Sequence, residues 1–120
     1  MHGDGVLGLD RLEARALISI APGWHVVAPG ARAEAVAPLS ITLLSARPRG
    51  APRFPPAAPA RRRFAEPIAA YTGETTVSVP LPPAAAPRVR VRIAFQACDG
   101  TTCRDPESVL LEAAAPAPVR

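Results

Sequence analysis

Lysine is missing from this chain: all fourteen of its basic residues are arginine. With the abundant alanine and proline, that reads as nucleotide-composition bias in the source genome rather than as chemistry. A net charge of +4 raises nucleic acid as a partner, but the arginines are dispersed except at Arg61-Arg62-Arg63. No helix-turn-helix, zinc-finger or aromatic stacking pattern accompanies them, so nucleic acid is not an expected partner. The triplet reads as a solvated loop face, or as a means of steering an acidic partner. Aromatic residues are scarce too, three Phe, one Trp and one Tyr, which leaves the core to aliphatic side chains. No run approaches the roughly eighteen apolar residues of a membrane-crossing helix. The start, Met1-His2-Gly3-Asp4-Gly5, lacks the basic and apolar regions of a signal peptide. The protein is therefore either cytosolic or separated from its signal sequence. A Ser-His-Asp order and a glycine-rich phosphate loop are both absent, which argues against hydrolysis and nucleotide binding.

What is present has a period of two. Leu39, Ile41 and Leu43 alternate with Ser40 and Thr42. Val77, Val79 and Leu81 alternate with Thr76, Ser78 and Pro80, and Val89, Val91, Ile93 and Phe95 with Arg88, Arg90 and Arg92. Each run predicts a half-buried strand, and a further strand is expected around Ser108 to Glu112. Leu9 to Ile20 also alternates, although Leu, Glu, Ala and Arg are good helix formers. Its last residues run into the Pro22-Gly23 turn, so it is read as a strand. Residues 47–70 are rich in Pro and Arg without a clear period, and are expected to be irregular. Eight glycines and sixteen prolines argue against long helices. One all-β domain, a two-sheet sandwich over residues 11–113, is the expected architecture. A flexible leader over 1–10 and a Pro/Ala-rich tail over 114–120 flank it.

The only cysteines, Cys98 and Cys103, flank Asp99-Gly100-Thr101-Thr102. Asp-Gly favours chain reversal, which would oppose the two thiols. Residues opposed across antiparallel strands have Cα atoms about 4.5–5.5 Å apart, within reach of a disulfide. A closely spaced pair able to oxidise is more at home outside the cytosol. Spacing leaves a structural staple and an exchanging switch level, because closing so short a loop stabilises by only about 2 kcal/mol. Parity along the preceding strand, if no bulge intervenes at Ala97, puts Cys98 on the outward face with Arg88, Arg90 and Arg92. Arg104 would favour a Cys103 thiolate, and Asp99 and Asp105 would oppose it. His25 and the cysteines could be drawn as a three-ligand metal site, but a hairpin plus one remote histidine is a weak pattern. His25 reads instead as a surface or turn residue, and no metal or cofactor is expected.

Several segments together resemble one family. Ile20-Ala21-Pro22-Gly23-Trp24-His25-Val26 is similar to a "PGWH" turn, and Tyr71-Thr72-Gly73-Glu74 to a "Y-x-G-E" motif. Phe95-Gln96-Ala97-Cys98-Asp99 through Cys103 and Pro106 resembles a "YQ-x-CD…C-x-x-P" hairpin, with Phe95 where Tyr is usual. In this order they resemble the amino-terminal periplasmic domain of the thiol:disulfide interchange protein DsbD, over about Arg11 to Glu112. The resemblance implies a monomeric, periplasmic immunoglobulin-like β-sandwich with protein-disulfide reductase activity. It would relay electrons from the thioredoxin-like carboxy-terminal domain of DsbD to acceptors such as DsbC-like and CcmG-like proteins, the latter serving cytochrome c maturation. It further implies that Cys103 forms the mixed disulfide with a partner and that Cys98 resolves it. Phe64 matches the aromatic ring of a cap over the disulfide, and Tyr71 lies with it on the cap and partner side. The competing expectation is a non-catalytic immunoglobulin-like interaction domain with a structural hairpin disulfide.

Overall fold

A computed structural model describes residues 3–9, 13–30, 36–62, 65–82 and 88–114. These residues contain no helix and ten strands: β1 (Gly3–Leu9), β2 (Glu13–Ile20), β3 (His25–Val27), β4 (Ser40–Leu43), β5 (Ala58–Arg62), β6 (Ala65–Tyr71), β7 (Glu74–Pro80), β8 (Arg88–Phe95), β9 (Ala97–Cys98) and β10 (Glu107–Ala114). All named strand pairings are antiparallel. They form three sheets, ordered β1-β2-β7, β10-β8-β4 and β5-β6-β3-β9.

The first two sheets are the sandwich, and the period of two builds them. In β8 the buried residues Val89, Val91, Ile93 and Phe95 alternate with exposed Arg88, Arg90 and Arg92. Alternation of this kind turns one face to the core and leaves the other wet. Ala14, Ala16, Ile18 and Ile20 of β2, Val77 and Val79 of β7 and Ile41 and Leu43 of β4 join them in one apolar cluster. The helix propensity of the β2 segment loses because both edges of β2 find a partner strand, β1 on one side and β7 on the other. A strand with two neighbours satisfies its backbone groups on both sides, and alternation then buries its apolar face. The architecture is an immunoglobulin-like β-sandwich.

Two expectations change. Gly3–Leu9, read as a flexible leader, is β1, registered from Gly3↔Ile20 to Leu9↔Ala14. Its glycines hid the strand from propensity, and pairing with β2 supplies what they lack. The Pro-rich stretch read as irregular contains β5 and most of β6. Pro59 is tolerated because β5 is an edge strand. Pro67 falls where the ladder shifts register, between the pairs Ala60↔Ile68 and Arg62↔Ala65, so its missing N–H breaks no ladder bond. Residues 115–120 of the expected tail lie outside the described residues. No helix among the described residues is long and apolar enough to cross a membrane.

The third sheet continues the sandwich at one end. Strand β2 leads through the Ala21–Trp24 turn into β3, β6 leads through Thr72-Gly73 into β7, and β8 leads through Gln96 into β9. Val26 of β3 pairs with Tyr71 of β6 on one side and with Ala97 of β9 on the other. This end carries the cysteines.

Candidate functional site

The sequence closes a hairpin here by local chemistry. Asp99 Oδ1 accepts hydrogen bonds from the Thr101 N–H (2.8 Å), the Thr102 N–H (2.7 Å) and the Thr101 hydroxyl (3.0 Å). An Asp side chain that binds the backbone ahead of it mimics a turn. Those bonds, with a smaller favourable charge interaction with His25, hold the Asp99 carboxyl below the usual carboxylate range. The Asp99 N–H donates to the Thr102 carbonyl (2.9 Å), and the Arg104 N–H to the Ala97 carbonyl (2.8 Å). Cys98 and Cys103 face each other across this ladder with Cα atoms 4.0 Å apart, and form a disulfide.

The two sulfur-bearing residues sit in different surroundings. Cys103 is exposed, whereas Cys98 is 3% exposed. This overturns the expectation that Cys98 points outward with the arginines of β8. Strand β8 ends at Phe95, Gln96 lies outside any strand, and β9 resumes in a different sheet beside β3. Parity counted from β8 therefore does not carry past Gln96, and Gln96, Ala97 and Cys98 are all buried.

Gln96 enforces the change. Its Oε1 accepts from the Ala37 N–H (2.8 Å), and its Nε2 donates to the Arg104 carbonyl (2.8 Å). One buried amide thus ties the far side of the hairpin to a segment distant in sequence. A buried primary amide needs such partners, since an unpaired polar group there is costly.

His25, expected at the surface or in a turn, is 6% exposed and lies in β3 directly opposite Cys98. The Pro22-Gly23 turn sets that position. The Trp24 N–H donates to the Ala21 carbonyl (3.1 Å) and Gly23 has φ 84°, so Pro at the second and Gly at the third place of the turn suit their conformations. Trp24 then supports the guanidinium of Arg104, which lies 5.5 Å from the centre of its ring. Among the described residues no group of three or more His, Cys, Asp or Glu side chains could hold a metal ion.

Tyr71, expected on the cap and partner side, is 6% exposed, and its hydroxyl donates to the Pro55 carbonyl (2.8 Å). Burial pushes its phenol up. It is a core residue that anchors β6 to the Pro-rich segment. Phe64 and Arg63 lie outside the described residues. Arg61 and Arg62 belong to β5, a strand where a loop was expected.

A groove of about 540 Å³ opens beside the hairpin. Its walls include the Ala21–His25 segment, Ala60, Thr72, Gly73 and Gly100. Gly73, at φ 64°, occupies a backbone conformation that side-chain-bearing residues rarely adopt, and its carbonyl accepts from the Ile20 N–H (2.9 Å). The groove, the Gln96 clamp and the placement of His25 were not foreseen. The available signals were the loss of alternation in Phe95-Gln96-Ala97-Cys98 and the position of Trp24-His25 immediately after a tight turn.

No protein-family model matches the chain. No curated protein matches it in sequence. Solved structures do match in fold. The DsbD amino-terminal domain of Neisseria meningitidis in its reduced form superposes with a TM-score of 0.71 at 16% identity, over 95% of this chain and 86% of that one. The complex of the DsbD and PilB amino-terminal domains from the same organism gives 0.69 at 15% identity, over 92% and 80%. The amino-terminal periplasmic domain of ScsB from Proteus mirabilis gives 0.64 at 12% identity, over 92% of this chain and 43% of that one. The chain thus has the immunoglobulin-like fold of the DsbD amino-terminal domain, with its Cys98–Cys103 disulfide in the hairpin at one end.

Proposed function

We propose that this domain is a periplasmic protein-disulfide reductase module that relays reducing equivalents between thioredoxin-like proteins through Cys98 and Cys103. The observation that carries the reading is the unequal exposure of the pair: an accessible Cys103 bonded to a buried Cys98. Exchange proceeds by attack of a thiolate on an accessible sulfur, so access assigns direction. In the reduced domain the Cys103 thiolate attacks a partner's disulfide, forming a mixed disulfide and releasing one partner thiolate. Cys98 then attacks the Cys103 sulfur, the bond from Cys103 to the partner breaks, and the second partner thiolate leaves. Two electrons pass to the partner, and Cys98–Cys103 is left oxidised. A reduced thioredoxin-like domain attacking Cys103 closes the cycle. The carboxy-terminal domain of DsbD is the donor class that the sequence resemblance implies, and DsbC-like or CcmG-like proteins are the acceptor class. The solved complex of DsbD and PilB amino-terminal domains supports a partner docking at this fold.

The competing reading, a hairpin staple in a non-catalytic interaction domain, has less support. The hairpin is already tied by the Asp99 and Arg104 backbone bonds, by the Asp99 turn and by Gln96. A bond closing so short a loop adds only about 2 kcal/mol by loop-closure entropy. The proposed cap residue is Phe64, and Tyr71 anchors the strand that follows it. A trapping experiment tests the assignment. With Cys98→Ser, a thioredoxin-like partner should accumulate as a covalent adduct at Cys103. Adducts only through Cys98 in the reciprocal Cys103→Ser variant would reverse the direction. A reduction potential below about −300 mV would favour the staple.

A further inference from the structure

Cys98 poses a chemical difficulty for the proposed exchange cycle. It must attack as a thiolate, yet a thiol withdrawn from water resists ionisation, and Cys98 is only 3% exposed. A proton acceptor is needed close to its sulfur. The register of β3 with β9 puts His25 directly opposite Cys98. Directly opposed residues of an antiparallel pair project to the same face, with Cβ atoms about 4.5–5.5 Å apart. Histidine is the side chain whose ordinary protonation range spans neutral pH. We propose that His25 takes the proton from Cys98 when Cys98 resolves the mixed disulfide.

This inference rests on the exchange reading above. In the step, the Cys98 S–H proton moves to the imidazole. The sulfur's electron pair forms the bond to Cys103, and the bond from Cys103 to the partner sulfur breaks. The imidazolium then returns its proton to the departing thiolate or to water. Electrons flow only from the Cys98–Cys103 pair to the partner, so no further reductant is required.

The surroundings suit the task. Asp99, one residue beyond Cys98, interacts favourably with the charge on His25, and three hydrogen bonds keep its carboxylate ionised. The interaction is mutual, so Asp99 supports the imidazolium that the transfer creates. From β6, Tyr71 is one register position away with its hydroxyl donated to Pro55. Arg104, which follows Cys103 in the hairpin, is held over Trp24. His25 also lines the groove beside the hairpin, which gives its proton a route to solvent.

Reaction of the reduced domain with dithionitrobenzoate separates the two sulfurs without any partner. The first thionitrobenzoate released reports attack by Cys103, and the second reports resolution by Cys98. Cys98→Ser should retain the first phase and lose the second. His25→Gln should leave the first phase unchanged and slow the second at neutral pH by about 100-fold, the lower end of general-base effects. It should also remove the step in the second phase's pH profile. Asp99→Asn keeps the Oδ1 acceptor but not the charge, so the turn survives, and the midpoint of that step should move to lower pH. A second phase whose rate and pH profile are unchanged in His25→Gln overturns the role of His25 and leaves the exchange reading standing. If His25→Gln fails to fold, an unmoved midpoint in Asp99→Asn overturns it equally. The absence of any Cys103 adduct overturns the exchange reading, and this inference with it.

Discussion

In β8, side chains alternate between core and solvent from Arg88 to Phe95; in β9, which starts two residues later, Ala97 and Cys98 are both buried. The same contrast separates β2, which alternates from Ala14 to Ile20, from β3, where His25, Val26 and Val27 are all buried. The sandwich strands keep one wet face, so parity alone assigns each residue to a side. Strands β3 and β9 of the end sheet are covered on both faces, and there burial is decided by neighbours from elsewhere in the chain. A thiol is hidden and its partner exposed only because the chain crosses from one regime to the other at Gln96.

The largest test of the contrast falls on the sandwich side. Ile93 is 2% exposed at the centre of the core, and Ile93→Ala should cost about 2–5 kcal/mol in denaturant unfolding, as buried Ile truncations do. The rate at which the oxidised domain is attacked by a small thiol should not change. If that rate rises, the two regions are coupled and the contrast breaks.

Gln96→Ala acts at the boundary itself. It leaves the Ala37 N–H and the Arg104 carbonyl without their partner, a loss of about 1–3 kcal/mol for buried polar groups. Unlike Ile93→Ala, it should also speed attack on the disulfide, because the far side of the hairpin is released. Equal exchange rates in the two variants would show that Gln96 is only another core residue.

The smallest effect is at Asp99, where the pH dependence sharpens the comparison. Its carboxyl is lowered in the folded state, so its contribution to stability is present above the ordinary carboxylate range. That contribution fades as pH falls through the lowered folded value. Asp99→Asn should therefore be less stable than the parent at neutral pH, with the difference vanishing in strong acid. Thermal unfolding of both proteins across that range measures it.

Much of the sandwich was legible because its information is local. Alternation at Leu39–Leu43, Val77–Leu81 and Val89–Phe95 needs no knowledge of partners to place a strand. Strand β1 was not legible, because Gly3, Gly5 and Gly8 have no strand preference and acquire one only beside β2. Nor was β5, whose Pro59 is acceptable only at an edge, a property of the sheet rather than of the residue. At the site, the cysteine hairpin could be read from Asp99-Gly100, while the burial of Cys98 and the role of Gln96 could not.

From residue order alone came the closeness of the two sulfurs, the turn that opposes them and the alternating faces of the main strands, because turn chemistry and the pleat act over a few residues. Tertiary structure alone decided which sulfur meets solvent, which histidine faces the hidden one and where the groove opens. Those outcomes depend on contacts such as Ala37 with Gln96, 59 residues apart, and on two sheets meeting at one end. Burial on a second face is conferred by distant strands, and no local pattern encodes it.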